Sequence, residues 1–164
     1  MTLAPGLKGT LSNVGVDAHE ICENLWQGAA PPDGSYLASL GFKAAVFCAY
    51  EFQPEAYRYP GLKVVLAPND DDYHRNITAS ELGLAVQASR VVATYLRHNQ
   101  PVLVSCIAGR NRSGLVCALT LHHMTGMGGA KAIELVRMCR PNALTNPSFV
   151  SALEAIRQTH AGRR

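Results

Sequence analysis

Apolar and polar positions along the chain fall into two kinds of block. Short apolar runs cover residues 44–50, 63–67 and 101–104, the second broken by Pro68. Runs of this length without alternation predict strands buried on both faces. Residues 25–28 predict a further short strand, ending at a loop over residues 29–33. Residues 35–40 predict a short helix stopped by Gly41, a frequent helix C-terminal residue.

The second kind of block has helical spacing. Thr78 and Glu81 form a capping box, in which the threonine hydroxyl takes one free amide and the glutamate reaches back to another. The helix they open carries Leu82, Ala85, Val86, Val92, Ala93 and Leu96 on one face. An apolar helix is predicted over 112–124, ending near Gly126, and another over 129–139, stopped by Pro141. A last helix starts with Asn146 as cap and Pro147 at its first position, and is predicted to run to about residue 160. Residues 1–20 are weakly patterned and read as a loosely structured lead-in to one domain over residues 21–160. Strands alternating with helices predict an α/β fold, with a central, mostly parallel sheet flanked by helices.

Composition narrows the function classes. Hydrophobic residues make up 48% of the chain and charged residues 16%, which suits a packed domain and excludes a disordered one. The net charge of +3 is small, and no Lys/Arg run exceeds the Arg163-Arg164 pair, so no nucleic-acid partner is expected. No apolar stretch approaches the about 18 residues that a membrane span needs, and no secretory signal is read at the N-terminus. The five cysteines are odd in number and lack a CxxC pair. Free thiols in a cytoplasmic setting are expected, and no zinc site or other metal.

The chemistry concentrates in residues 102–114, where a buried strand enters a tight loop that opens a helix. That arrangement points backbone amides and a helix N-terminus at one place, a natural site for a phosphate dianion. The amides of Ile107, Ala108, Gly109, Arg110 and Asn111 would line it, and Gly109 allows the backbone to curl close. Arg112 offers a planar, two-pronged donor for two phosphate oxygens. The same positive surroundings would favour the thiolate of Cys106, a nucleophile poised for attack on phosphorus. The Ser113 hydroxyl is placed to hydrogen-bond that sulfur. A leaving oxygen needs a proton, and the candidates are Asp70, Asp71 and Asp72, clustered just after a buried strand.

Cys106, five residues, Arg112 and Ser113 together resemble the signature of the protein tyrosine phosphatases, and the surroundings are similar to the small dual-specificity branch. The resemblance extends over residues 21–153. Residues 23–28 resemble that branch's opening strand, 66–70 the strand into its acid loop, and 136–149 its closing segment. It implies a phosphocysteine intermediate on Cys106, phosphate held by Arg112 and the loop amides, Asp70 as general acid and then base, and Ser113 helping to expel the thiolate. No metal or organic cofactor is implied. The family usually carries histidine before the nucleophile, where this chain has Ser105. The implied substrate is a phosphotyrosine protein, with phosphoserine or phosphothreonine as a further target. Two alternatives are a phosphoinositide or small phosphate ester, and a phosphate-binding module without turnover. Arg110 faces either solvent or the substrate, and the loop holds no lysine, which favours phosphoprotein. A cytoplasmic monomer is expected.

Overall fold

The computed structural model describes residues 9–12, 15–33 and 35–160. Its sheet contains β1 (Ala18–Cys22), β2 (Leu25–Gly28), β3 (Ala44–Ala49), β4 (Lys63–Asn69) and β5 (Val102–Ser105) in the order β1-β2-β5-β3-β4. Strands β2, β5, β3 and β4 run parallel, and β1 pairs antiparallel with β2 at one edge. The helices are α1 (Ser35–Ser39), α2 (Ala79–Arg97), α3 (Arg112–Thr125), α4 (Gly129–Cys139) and α5 (Pro147–Glu154).

Side chains alternate along the central strands and build two cores. Ala44, Val46 and Cys48 of β3 and Val102 and Val104 of β5 face one cluster, completed by α2, α3, α4 and α5. Ala45, Phe47 and Leu103 face the other, with Leu37 of α1, Phe42, Tyr59 and Val16. Both faces are therefore covered, which explains why β3 and β5 read as unbroken apolar runs. The α3 helix is buried from Arg112 to Leu121 and passes through the middle of the larger core. It ends at Gly126, whose φ of 75° suits glycine. The capping box of Thr78 and Glu81 is present with both reciprocal bonds.

Three boundaries differ from the sequence reading. Strand β1 begins at Ala18, inside the stretch read as a lead-in, and Thr10 bridges to His19. Its sequence mixes polar and apolar residues because it is an edge strand with a single ladder partner, so it lacks the buried signal. Residues 1–8 of that stretch lie outside the described residues. Strand β4 continues through Pro68 to Asn69. An edge position lets a proline lacking its amide hydrogen join a strand. Helix α5 stops at Glu154 instead of residue 160, because the chain turns back and the Ile156 carbonyl accepts from Gly129 N.

Candidate active site

Parallel alignment brings the carboxyl ends of four strands to one edge of the sheet. Gly28 is in register with Ser105, Phe47 is also opposite Ser105, and Ala49 pairs with Asn69. The loops leave from this one edge, where open parallel sheets usually bind their ligands. Cys106 follows β5 directly and is buried, with 4% of the residue exposed.

The carbonyls of residues 107 to 111 are all held by groups outside the loop. Ala30 N donates to Ile107 O, Leu144 N to Arg110 O and Leu115 N to Asn111 O. Gln27 Nε2 donates to Gly109 O at 3.1 Å and to Arg110 O at 3.2 Å, while Arg140 donates to Ala108 O and Gly109 O. In a trans peptide the following N–H points opposite to the carbonyl. Carbonyls turned outward therefore turn the amides of 108 to 112 toward the centre of the loop. Gly109 sits at φ 64°, and a Cβ there would lie 2.3 Å from the carbonyl carbon of Gly28. Only glycine fits between this loop and the end of β2.

The side chains of Cys106 and Ser113 meet where the loop opens α3, and Arg112 starts that helix. Cys106 Sγ is 3.3 Å from Ser113 Oγ. Arg112 is 6% exposed. Its two terminal nitrogens donate to Glu51 at 2.5 and 2.8 Å, and one of them also reaches Asn69 O at 3.2 Å. That ion pair holds the Glu51 carboxyl below its ordinary pKa. The Arg112 Nε is buried and meets no acceptor among the described residues. A buried donor in this state is costly unless a ligand oxygen completes it.

The three aspartates occupy different surroundings. Asp70 follows β4, is exposed, and has one oxygen 3.4 Å from an Arg75 terminal nitrogen. Both oxygens of Asp71 accept side-chain amide protons, from Asn111 at 3.0 Å and Asn146 at 2.8 Å. Asp72 Oδ1 accepts from His74 N at 2.8 Å, closing a local turn. Among the three, Asp70 alone is tied neither to the phosphate loop nor to its own backbone turn.

Ile107, Ala108 and Arg110 are exposed at the rim, whereas Gly109 and Asn111 are buried. The Asn111 side chain points away from the loop centre, since its oxygen accepts from Thr145 N and Asn146 N. Ser105 Oγ donates to Val46 O at 3.2 Å within the sheet. Arg137 and Arg140 both make structural bonds near the site, Arg137 to Leu144 O and Arg140 to the loop. Among the described residues no cluster of three His, Cys, Asp or Glu is placed to hold a metal ion. Likewise, no described helix is long and apolar enough to cross a membrane.

Sequence reasoning missed Glu51, Gln27 and the Asn111–Asn146 connection. Gln27 offered a signal, a fully buried amide side chain within a short strand that must find partners. Glu51 offered none, because its partner lies 61 residues away.

The family model for the dual specificity phosphatase catalytic domain matches residues 26–159. Human dual specificity phosphatase 28 is 30% identical over 157 residues, covering 91% of this chain and 82% of that protein. Its crystal structure superposes with a TM-score of 0.71 at 28% identity, over 84% of this chain and 90% of the other. Dual specificity protein phosphatase 1B of Arabidopsis thaliana is 41% identical over 61 residues, 37% of this chain and 36% of that one.

Proposed function

Because the chain belongs to the dual specificity phosphatase family, and is a phosphatase of that class, we propose that it hydrolyses phosphoprotein monoesters through a phosphocysteine on Cys106. The observation that carries this reading is the loop itself. Its carbonyls face out, its amides face in, Cys106 opens it, and Arg112 at its end keeps a buried Nε without an acceptor among the described residues. No other charge is required to gather the three equatorial oxygens of a transferring phosphoryl group.

The Cys106 thiolate attacks phosphorus as the bond to the leaving oxygen breaks. Arg112 and the amides of residues 108 to 112 hold the remaining oxygens, and Glu51 fixes the plane of the guanidinium. Asp70 gives its proton to the leaving oxygen. Asp71 is tied on both oxygens to Asn111 and Asn146, and Asp72 to the backbone of its own turn, which leaves Asp70 the freest of the three to meet a leaving oxygen. Water then attacks phosphorus, Asp70 takes its proton, and the sulfur–phosphorus bond breaks. The Ser113 hydroxyl, 3.3 Å from the sulfur, donates to the departing thiolate. Ser105 leaves the nucleophile without the neighbouring imidazole, so thiolate stabilisation falls to the loop amides, Ser113 and Arg112.

Phosphotyrosine is the leading substrate, with phosphoserine and phosphothreonine as further ones. The test is hydrolysis of a chromogenic aryl phosphate in the presence of EDTA. Turnover that survives chelation and disappears in Cys106→Ser supports the reading. Oxyanion binding without turnover would make the protein a phosphate-binding module instead.

A further inference from the structure

The outward carbonyls of the loop are not held in the same way. Those of Ile107 and Asn111 rest on backbone amides, which the fold keeps in place. Arg110 O has both the Leu144 amide and Gln27. Ala108 O is different, since its partner among the described residues is the side chain of Arg140, at 3.1 Å. Gly109 O takes Arg140 Nε at 2.5 Å together with Gln27 Nε2.

These two carbonyls flank the residue with the greatest conformational freedom. Peptide planes on either side of a glycine rotate at little steric cost. A flip of the 108–109 or 109–110 plane would replace an inward amide with a carbonyl oxygen, which repels phosphate. What holds those two planes therefore decides whether the loop presents donors.

Arg140 is suited to hold them. It is 7% exposed and has five N–H donors in a rigid plane. All five are engaged: with Ala108 O, Gly109 O, both oxygens of Asp17 at 2.9 and 3.0 Å, and His19 Nδ1 at 2.8 Å. The paired bonds to Asp17 fix the guanidinium plane, as fork-to-carboxylate pairs do. The His19 ring must be neutral to accept at Nδ1. Asp17 and His19 lie at the start of edge strand β1, far in sequence from both Arg140 and the loop.

We propose that Arg140, oriented by Asp17 and His19, is a positioning residue for the phosphatase reaction, turning the amides of Gly109 and Arg110 toward the phosphoryl group. The N-terminal edge strand is then part of the catalytic apparatus. This rests on the reading of the loop as the phosphate site.

The test compares wild type with Asp17→Asn and Arg140→Lys. The Asp17 side chain is 59% exposed, so its amide variant should fold. The inhibition constant for inorganic vanadate and kcat for an aryl phosphate are measured well below the melting temperature, and Tm is measured separately by thermal unfolding. Loss of a charge-assisted hydrogen bond predicts vanadate affinity weakened roughly tenfold or more, with kcat lowered alongside. A merely structural role would lower Tm and leave the vanadate constant of the folded protein within about twofold of wild type, overturning the inference. If Arg140→Lys fails to fold, Asp17→Asn decides alone. A wild type that binds no vanadate would instead overturn the reading of the site, and this inference with it.

Discussion

Asn111 Nδ2 donates to Asp71 Oδ2 at 3.0 Å, so the phosphate loop and the aspartate loop are joined by one side chain. The same asparagine accepts from the amides of Thr145 and Asn146, which ties in the segment before α5. Asn146 closes the triangle by donating to Asp71. Asp70 is one residue before this anchor, and its own carboxyl stays exposed.

The two neighbouring aspartates should therefore respond differently to amidation. Asp70→Asn removes a general acid and should lower kcat on a poor leaving group by roughly 10²–10⁴-fold, with the fall of rate at high pH abolished. Asp71→Asn keeps the side chain's shape but gives up one acceptor, and should retain the high-pH limb at a reduced rate. The pH–rate profiles of both variants check this. Loss of the limb in Asp71→Asn instead would move the acid by one position.

Glu51 grips both terminal nitrogens of Arg112, and its replacement should read as poorer phosphate binding. Glu51→Gln loses the ionic half of a two-pronged pair, and KM for an aryl phosphate should rise roughly tenfold. Arg112 holds the Glu51 pKa below its ordinary value. The pair is thus complete above the usual glutamate pKa and is lost as pH falls through the depressed one. Steady-state kinetics of the variant against wild type decide it.

Gly109 should tolerate no side chain. Gly109→Ala would put its Cβ 2.3 Å from the carbonyl carbon of Gly28, at a φ of 64°. Backbone strain of about 1–3 kcal/mol adds to that overlap. The expected outcome is a lower urea midpoint and loss of vanadate binding. Unchanged binding would mean the loop is wider than described.

The start of α2 carries a stability signal away from the site. Arg75 is the main cause of a Glu81 pKa lowered to about 2, and Glu81 also closes the capping box on Thr78. A carboxyl depressed in the folded state contributes stability above its unfolded value, lost as pH falls from about 4.5 to about 2. Urea unfolding of wild type should weaken across that window, and Glu81→Gln should flatten the dependence. Thr78→Ala should cost about 0.5–2 kcal/mol at neutral pH.

What the sequence made legible depended on how local each signal was. The run Val102–Ser105, the glycine of the loop and the helix at Arg112 are contiguous, so strand, loop and helix could be read together, with Cys106 and Arg112 placed at one point. Thr78 and Glu81 are three residues apart and announced their helix equally well. Strand β1 was illegible because an edge strand with one partner need not be apolar. Gln27, Glu51, Asp17 and Arg140 act through partners 31 to 123 residues away, and no spacing rule links them. The cluster Asp70, Asp71 and Asp72 was visible as a cluster. Its division of labour emerged only once Asn111 and Asn146 were seen to claim Asp71.

The most direct test of the account is to find the phosphorylated intermediate. Wild-type protein turning over an aryl phosphate is quenched rapidly in acid, digested, and its peptides are weighed. The account predicts a phosphate increment confined to the peptide containing Cys106, absent in Cys106→Ser and present in Asp70→Asn. Phosphate on another residue, or turnover that persists in Cys106→Ser, would contradict it.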